Sequence, residues 1–352
     1  MEKKISISQA ALVGWMVVSI IVMGFELPRR DFEQSTLNLT LAKEKILETG
    51  DNKIHGSTYH DGHLWASTRT SPARILKINP QTLDYQRIIL DNGLNDGEDL
   101  IYAKGYIWVV LYISPSKIIK VDPYTLNWEI AVAFKSGEVS YGGSLEYAFN
   151  YLWVGGIGKI AKIDLDTFEY QIYDYSETVG SAQFHALTSG DGYLWGSSPH
   201  PNFLGINPTT SILRINPDDP TQYKKISLDG LVTDDMAYLN GSLYVGTENI
   251  YPFFTKSQVY KISNGFTVTN GVTRETKCYG IFAQDGELLW GTYAGKPGRI
   301  IKFDSNLVVK GIYALPRNFN DANEIAFDPE GNLYITCFES PAKIVKLAAI
   351  LS

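Results

Sequence analysis

A turn followed by an apolar-aromatic strand occurs seven times along this chain: DGHLWAS from Asp61, KGYIWVV from Lys104, FNYLWVG from Phe149, DGYLWGS from Asp191, NGSLYVG from Asn240, DGELLWG from Asp285 and EGNLYIT from Glu330. The aromatic anchors Trp65, Trp108, Trp153, Trp195, Tyr244, Trp290 and Tyr334 stand 43, 45, 42, 49, 46 and 44 residues apart. A repeat of this length, built from strands and hairpin turns, matches a four-stranded propeller blade.

Each anchor is followed by a second shared element, clearest in ARILKINPQTL from Ala73, SKIIKVDPYTL from Ser116 and GKIAKIDLDTF from Gly158. Alternation of Ile or Val with Lys or Arg marks a strand with one buried and one wet face. The Asn-Pro or Asp-Pro after it turns the chain into an outermost strand such as YQRIIL at Tyr85. The seventh copy ends at AKIVKLAAILS with no fourth strand, which leaves a bare edge. Before the first copy, Ala42 to Leu47 (AKEKIL) occupies the place of YQRIIL, with the same 8-residue step from Leu47 to His55 as from Leu90 to Glu98. The expected fold is therefore all-β: a seven-bladed β-propeller over residues 42–352, with four-stranded blades and the N-terminal strand completing the last one. The anchors read as packing between blades.

From Ile5 to Phe25 no charged residue occurs, and Ala10 to Phe25 is almost wholly apolar, about the length that spans a bilayer core. Residues 1–30 are expected to form one N-terminal transmembrane helix and 31–41 a linker; a cleaved signal peptide and a secreted domain are the alternative. The flanking charges, Lys3 and Lys4 before and Arg29 and Arg30 after, leave a preference for the propeller outside the cytoplasm. A net charge of -7 argues against a nucleic-acid partner, whose phosphates require clustered Lys and Arg. The two cysteines, Cys278 and Cys337, are read as buried side chains, with one disulfide as the alternative in an exported domain.

The first residues of each innermost strand ring the mouth of a propeller channel. Counted back from the anchors, these are His55, Glu98, Gly143, His185, Asp234, Tyr279 and Glu324. Glu98, Asp234 and Glu324 are candidate ligands for a divalent cation, Ca²⁺ or Mg²⁺ where carboxylates dominate; solvated or capping carboxylates are the alternative. Enlarged loops from Pro199 and Glu248 carry Phe203, Tyr251, Phe253 and Phe254 toward the same face, a pattern suited to binding a protein, peptide or glycan.

The unit x-D-G-x-L-W, then K-I-x-K-I-D-P-x-T, resembles that of the propeller group containing NHL-repeat proteins, streptogramin lyases and the gluconolactonase or senescence-marker family. DDMAYLNGSLYVG from Asp234 and NEIAFDPEGNLYIT from Asn323 resemble the metal-holding strands of the gluconolactonase family, which implies a cation at Asp234 or Glu324. His55-Gly56 resembles the His-Gly of streptogramin lyases, although their Glu-x-His is absent here. Two functions are thus expected: a membrane-tethered recognition module, more in keeping with a non-enzyme, or a metal-dependent hydrolase or lyase with His185 or His55 as acid-base group.

Overall fold

The computed structural model describes residues 37, 39–200, 208–248, 257–272, 275, 277–284, 286 and 288–349. Strands β1–β28, numbered in chain order, form a β-propeller. Four sheets are up-and-down meanders of consecutive strands: β2–β5 (residues 54–89), β6–β9 (97–133), β10–β13 (144–174) and β14–β17 (186–229). A fifth four-stranded sheet has the order β1 (Leu39–Ile46), β28 (Lys343–Ala349), β27 (Leu333–Cys337), β26 (Ala322–Phe327). The remaining sheet has eight strands, the meanders β18–β21 (231–272) and β22–β25 (278–314) joined by one parallel pair, Asp235 with Gly280. A Cβ at Gly280 would lie 3.0 Å from the Asp235 Cβ and closer still to the Phe282 ring, so glycine permits this approach.

The expected all-β propeller is what forms; five blades stand as separate sheets and two meanders share the eight-stranded one. The first strands, β2 (Ile54–His60), β6 (Gly97–Ala103), β10 (Ser144–Ala148), β14 (Ala186–Gly190), β18 (Leu231–Leu239), β22 (Cys278–Gln284) and β26, touch one another in cyclic order and line the channel. In five of the repeated hairpins, the turns Asp61-Gly62, Lys104-Gly105, Phe149-Asn150, Asp191-Gly192 and Asn240-Gly241 have positive φ at both central residues, the twist-matched hairpin geometry that favours Asn or Asp followed by Gly.

The core lies between blades. All seven anchors are buried, and each apolar cluster joins consecutive meanders: Trp65, Ile75 and Ile88 pack with Ile107, Val109 and Ile119, for instance. A cation spoke recurs over the anchors. Lys77, Lys162, Lys261 and Lys346 lie 5.2–5.8 Å from the ring centroids of Trp65, Trp153, Tyr244 and Tyr334. Each Nζ then donates to a turn carbonyl in the next meander, on Pro123, Pro217, Ser305 and Pro80 respectively. The stem thus covers the ring while the ammonium is satisfied.

The last of these spokes crosses the ring closure, where the N-terminal strand does what its position anticipates. β1 pairs antiparallel with β28 from Leu39↔Ala349 to Ile46↔Lys343, beginning three residues ahead of Ala42 and so inside the stretch read as linker. The segment after it staples both neighbours. Leu47 N and Lys53 N donate to Ala342 O and Glu339 O of the last blade, and Ala342 N donates to Asp51 O. The fully buried Asp51 carboxylate accepts from Arg74, Arg87 and Tyr85 of the first blade.

Residues 1–36, with the expected anchor, lie outside the described residues; among the described ones no helix is long and apolar enough to cross a membrane. The single short helix among them, α1, covers Ser176–Val179. Cys278 and Cys337 are both buried and are not joined in a disulfide.

Candidate functional site

The inner strands start at the mouth and run down the channel, so each strand head, each second-to-third-strand loop and each loop entering a first strand share one face. Glycine brings the heads close. A Cβ on Gly56 would fall 2.8–2.9 Å from backbone atoms of Glu98, Asp99 and Leu100, and the Ser67 hydroxyl accepts from Gly56 N while donating to Glu98 O. β2 and β6 are thereby held together at the mouth, which sets His55 Nε2 3.7 Å from Glu98 Oε1.

Both Glu98 oxygens are engaged by the Arg69 guanidinium, a bidentate pair with Glu98 buried and Arg69 about a quarter exposed. The guanidinium lies 4.6 Å from the Tyr112 ring centroid and 6.0 Å from that of Phe338. The His55 ring meets Phe338 edge-on at 5.6 Å, Lys53 Nζ lies 5.6 Å from the same ring, and Tyr141 packs on Tyr112 at 5.1 Å. A carboxylate floor with two aromatic walls thus surrounds a cation. Arg69, Tyr112 and Phe338 each stand four residues after an anchor (Trp65, Trp108 and Tyr334), so three equivalent loop positions build the box.

Asn323 is the second residue of β26 and is 1% exposed. Its Nδ2 donates to Ile54 O and His55 O, while its Oδ1 has no hydrogen-bond partner among the described residues. Below the mouth Asp99 ties neighbouring inner strands, accepting from Leu100 N and, across the blade boundary, from Leu145 N. Burial, reinforced by the negative charge of Asp235, pushes the Asp99 carboxyl well above the usual carboxylate range despite those two amides. Burial likewise raises Glu146 to about 7, opposed by hydrogen bonds from Ser189 and assisted by Asp235. Farther down, a cavity of about 370 Å³ is lined by Ser57, Tyr59, Thr188, Met236, Phe282 and Ile325 among others.

Of the candidates named from sequence, His55 and Glu98 meet. His185 stands half-buried at the head of β14, its amide donating to Ser197 O. Glu324 is buried at the head of β26. The Asp234 side chain lies outside the described residues, as do Phe203, Tyr251, Phe253 and Phe254. Among the described residues no three His, Cys, Asp or Glu side chains form a group suited to a metal ion, and Glu98 faces an arginine. The sequence reading missed Arg69, Tyr112, Phe338, Asn323 and Glu146; for the first three, their common offset from the anchors was the available signal. His60 and His200 are half-buried, with His60 against the Tyr102 ring and His200 Nε2 2.8 Å from Ser211 Oγ.

No protein-family model and no curated protein matches this chain. A solved structure, the crystal structure of the computationally designed Ika8 protein, superposes with a TM-score of 0.56 at 10% identity, covering 85% of this chain and 98% of that one. At that identity the likeness concerns the fold alone.

Proposed function

We propose that the chain is a seven-bladed propeller, held outside the cytoplasm by an N-terminal membrane anchor, that works as a recognition module through its channel-mouth face. Support for seven blades comes from the cyclic contact of the first strands and from apolar layers between consecutive meanders, including β18–β21 against β22–β25. The tether is supported by the uncharged stretch from Ile5 to Phe25 and by β1, which starts on the face away from the mouth.

The observation that carries the recognition reading is the mouth itself, where Arg69, Tyr112, Tyr141 and Phe338 cluster on a rigid scaffold. Aromatic and arginine side chains so held are what binding surfaces use. The hydrolase or lyase reading has less support, because Arg69 occupies the carboxylate it would assign to a metal. Full-length protein in uncharged detergent, applied to immobilised peptides and glycans, tests the proposal. Retention by at least one class, lost in Phe253→Asp with Phe254→Asp at an unchanged unfolding midpoint, is expected. Retention by no class, or equal retention by the double variant, overturns it.

A further inference from the structure

The mouth box holds a cation from within the chain. Arg69 reaches it from the loop after β3 (His63–Thr68), and its guanidinium is bound as a guest would be, by one buried carboxylate and two ring faces. A second cationic group, Lys53, sits over Phe338 from the rim. The charge beneath the guanidinium is supplied by Glu98, which is buried.

We propose that the channel mouth binds a donor-rich organic cation, a guanidinium or alkylammonium group, and that Arg69 is a built-in competitor that swings out when the guest enters. Tyr112 and Phe338 supply the ring faces and Glu98 the charge. The inference deepens the recognition reading and rests on it. The same chemistry has two sources, a free polyamine or the basic side chains of a polypeptide.

Titration calorimetry on the full-length chain at about 0.15 M salt, where loose surface attraction is screened, separates these. The probes are spermidine, acetyl-Arg-Arg-amide and, as neutral control, maltotriose. One or both cations bind and maltotriose does not; tighter spermidine assigns the polyamine, tighter dipeptide the polypeptide. Tyr112→Ala, which leaves Arg69 and Glu98 in place, weakens the cation at least fivefold. Arg69→Ala tightens it at least fivefold. Maltotriose binding as well as the cations, no cation binding at this salt, or an unchanged affinity in Tyr112→Ala overturns the proposal. Arg69→Ala that keeps its unfolding midpoint and loses binding also overturns it, because Arg69 would then contact the ligand. Should Arg69→Ala fail to fold, Tyr112→Ala decides. If the cations fail while capture on immobilised ligands still depends on Phe253 and Phe254, recognition stands and the ligand class falls.

Discussion

Replacing Asp51 by Ala removes the side chain through which the closing segment grips the first blade. Its carboxylate is fully buried and accepts from Arg74 Nη1 at 2.7 Å, from Arg87 Nε at 2.9 Å and from the Tyr85 hydroxyl at 2.7 Å. Breaking a buried ion pair from one side costs about 3–5 kcal/mol, because the remaining charge is left uncompensated. Here the two arginines are about a quarter exposed and water recovers part of that cost, so about 3 kcal/mol is expected. Urea unfolding followed by tryptophan fluorescence reads it, with Leu41→Ala on the exposed face of β1 as the control within about 0.5 kcal/mol. Burial alone would raise the Asp51 pKa, but hydrogen bonds from Arg87, Tyr85 and Arg74 win and hold it below the usual carboxylate range. A lowered folded pKa contributes stability above the unfolded value that is lost as pH falls through the folded one. The difference between wild type and Asp51→Ala should therefore be full at pH 7 and shrink below pH 4. A loss under about 1 kcal/mol at pH 7, or one that does not shrink in acid, refutes the staple.

The raised Glu146 carboxyl gives the opposite sign, since burial penalises its charged form: stability is lost as pH rises toward about 7, so Glu146→Gln should raise the thermal midpoint at pH 8 and leave it unchanged at pH 4. An equal effect at both would mean the carboxyl is not desolvated. Deleting residues 1–47 bares the β28 edge and removes buried Leu47, and should abolish soluble folding, whereas deleting 1–30 should not. Identical unfolding midpoints for the two would contradict closure by β1. Cys337, whose thiol burial pushes up, should resist an alkylating reagent in the native state and react on unfolding; modification at equal rates in both states would contradict its burial.

Much of the architecture is legible in the chain because every blade repeats the same local instructions. The hairpin turn, Asp-Gly or Asn-Gly in four of the seven copies, the anchor and the alternating strand appear in register, and the missing fourth strand of the last copy points to Ala42–Leu47. The start at Leu39 was not legible, since the Leu39-Thr40-Leu41 alternation continues the strand into a stretch with no counterpart in the repeat. Counting from anchors located His55 and Glu98 but could not assign their partners. Arg69 shares its offset from the anchor with Tyr112 and Phe338, but that offset does not tell which carboxylate a loop arginine will pair with. The merging of two meanders depends on a glycine contact between blades, which one blade's sequence does not display.

The proposed recognition role requires the mouth face to meet the world outside the cytoplasm. Tyr141 is 39% exposed on that face, and both natural cysteines are buried. Tyr141→Cys in the full-length chain, expressed in intact cells and treated with a membrane-impermeant maleimide, measures its sidedness. Labelling of the intact cells, undiminished by comparison with permeabilised ones, is the predicted result. Labelling only after the membrane is opened would put the mouth on the inside and contradict the account.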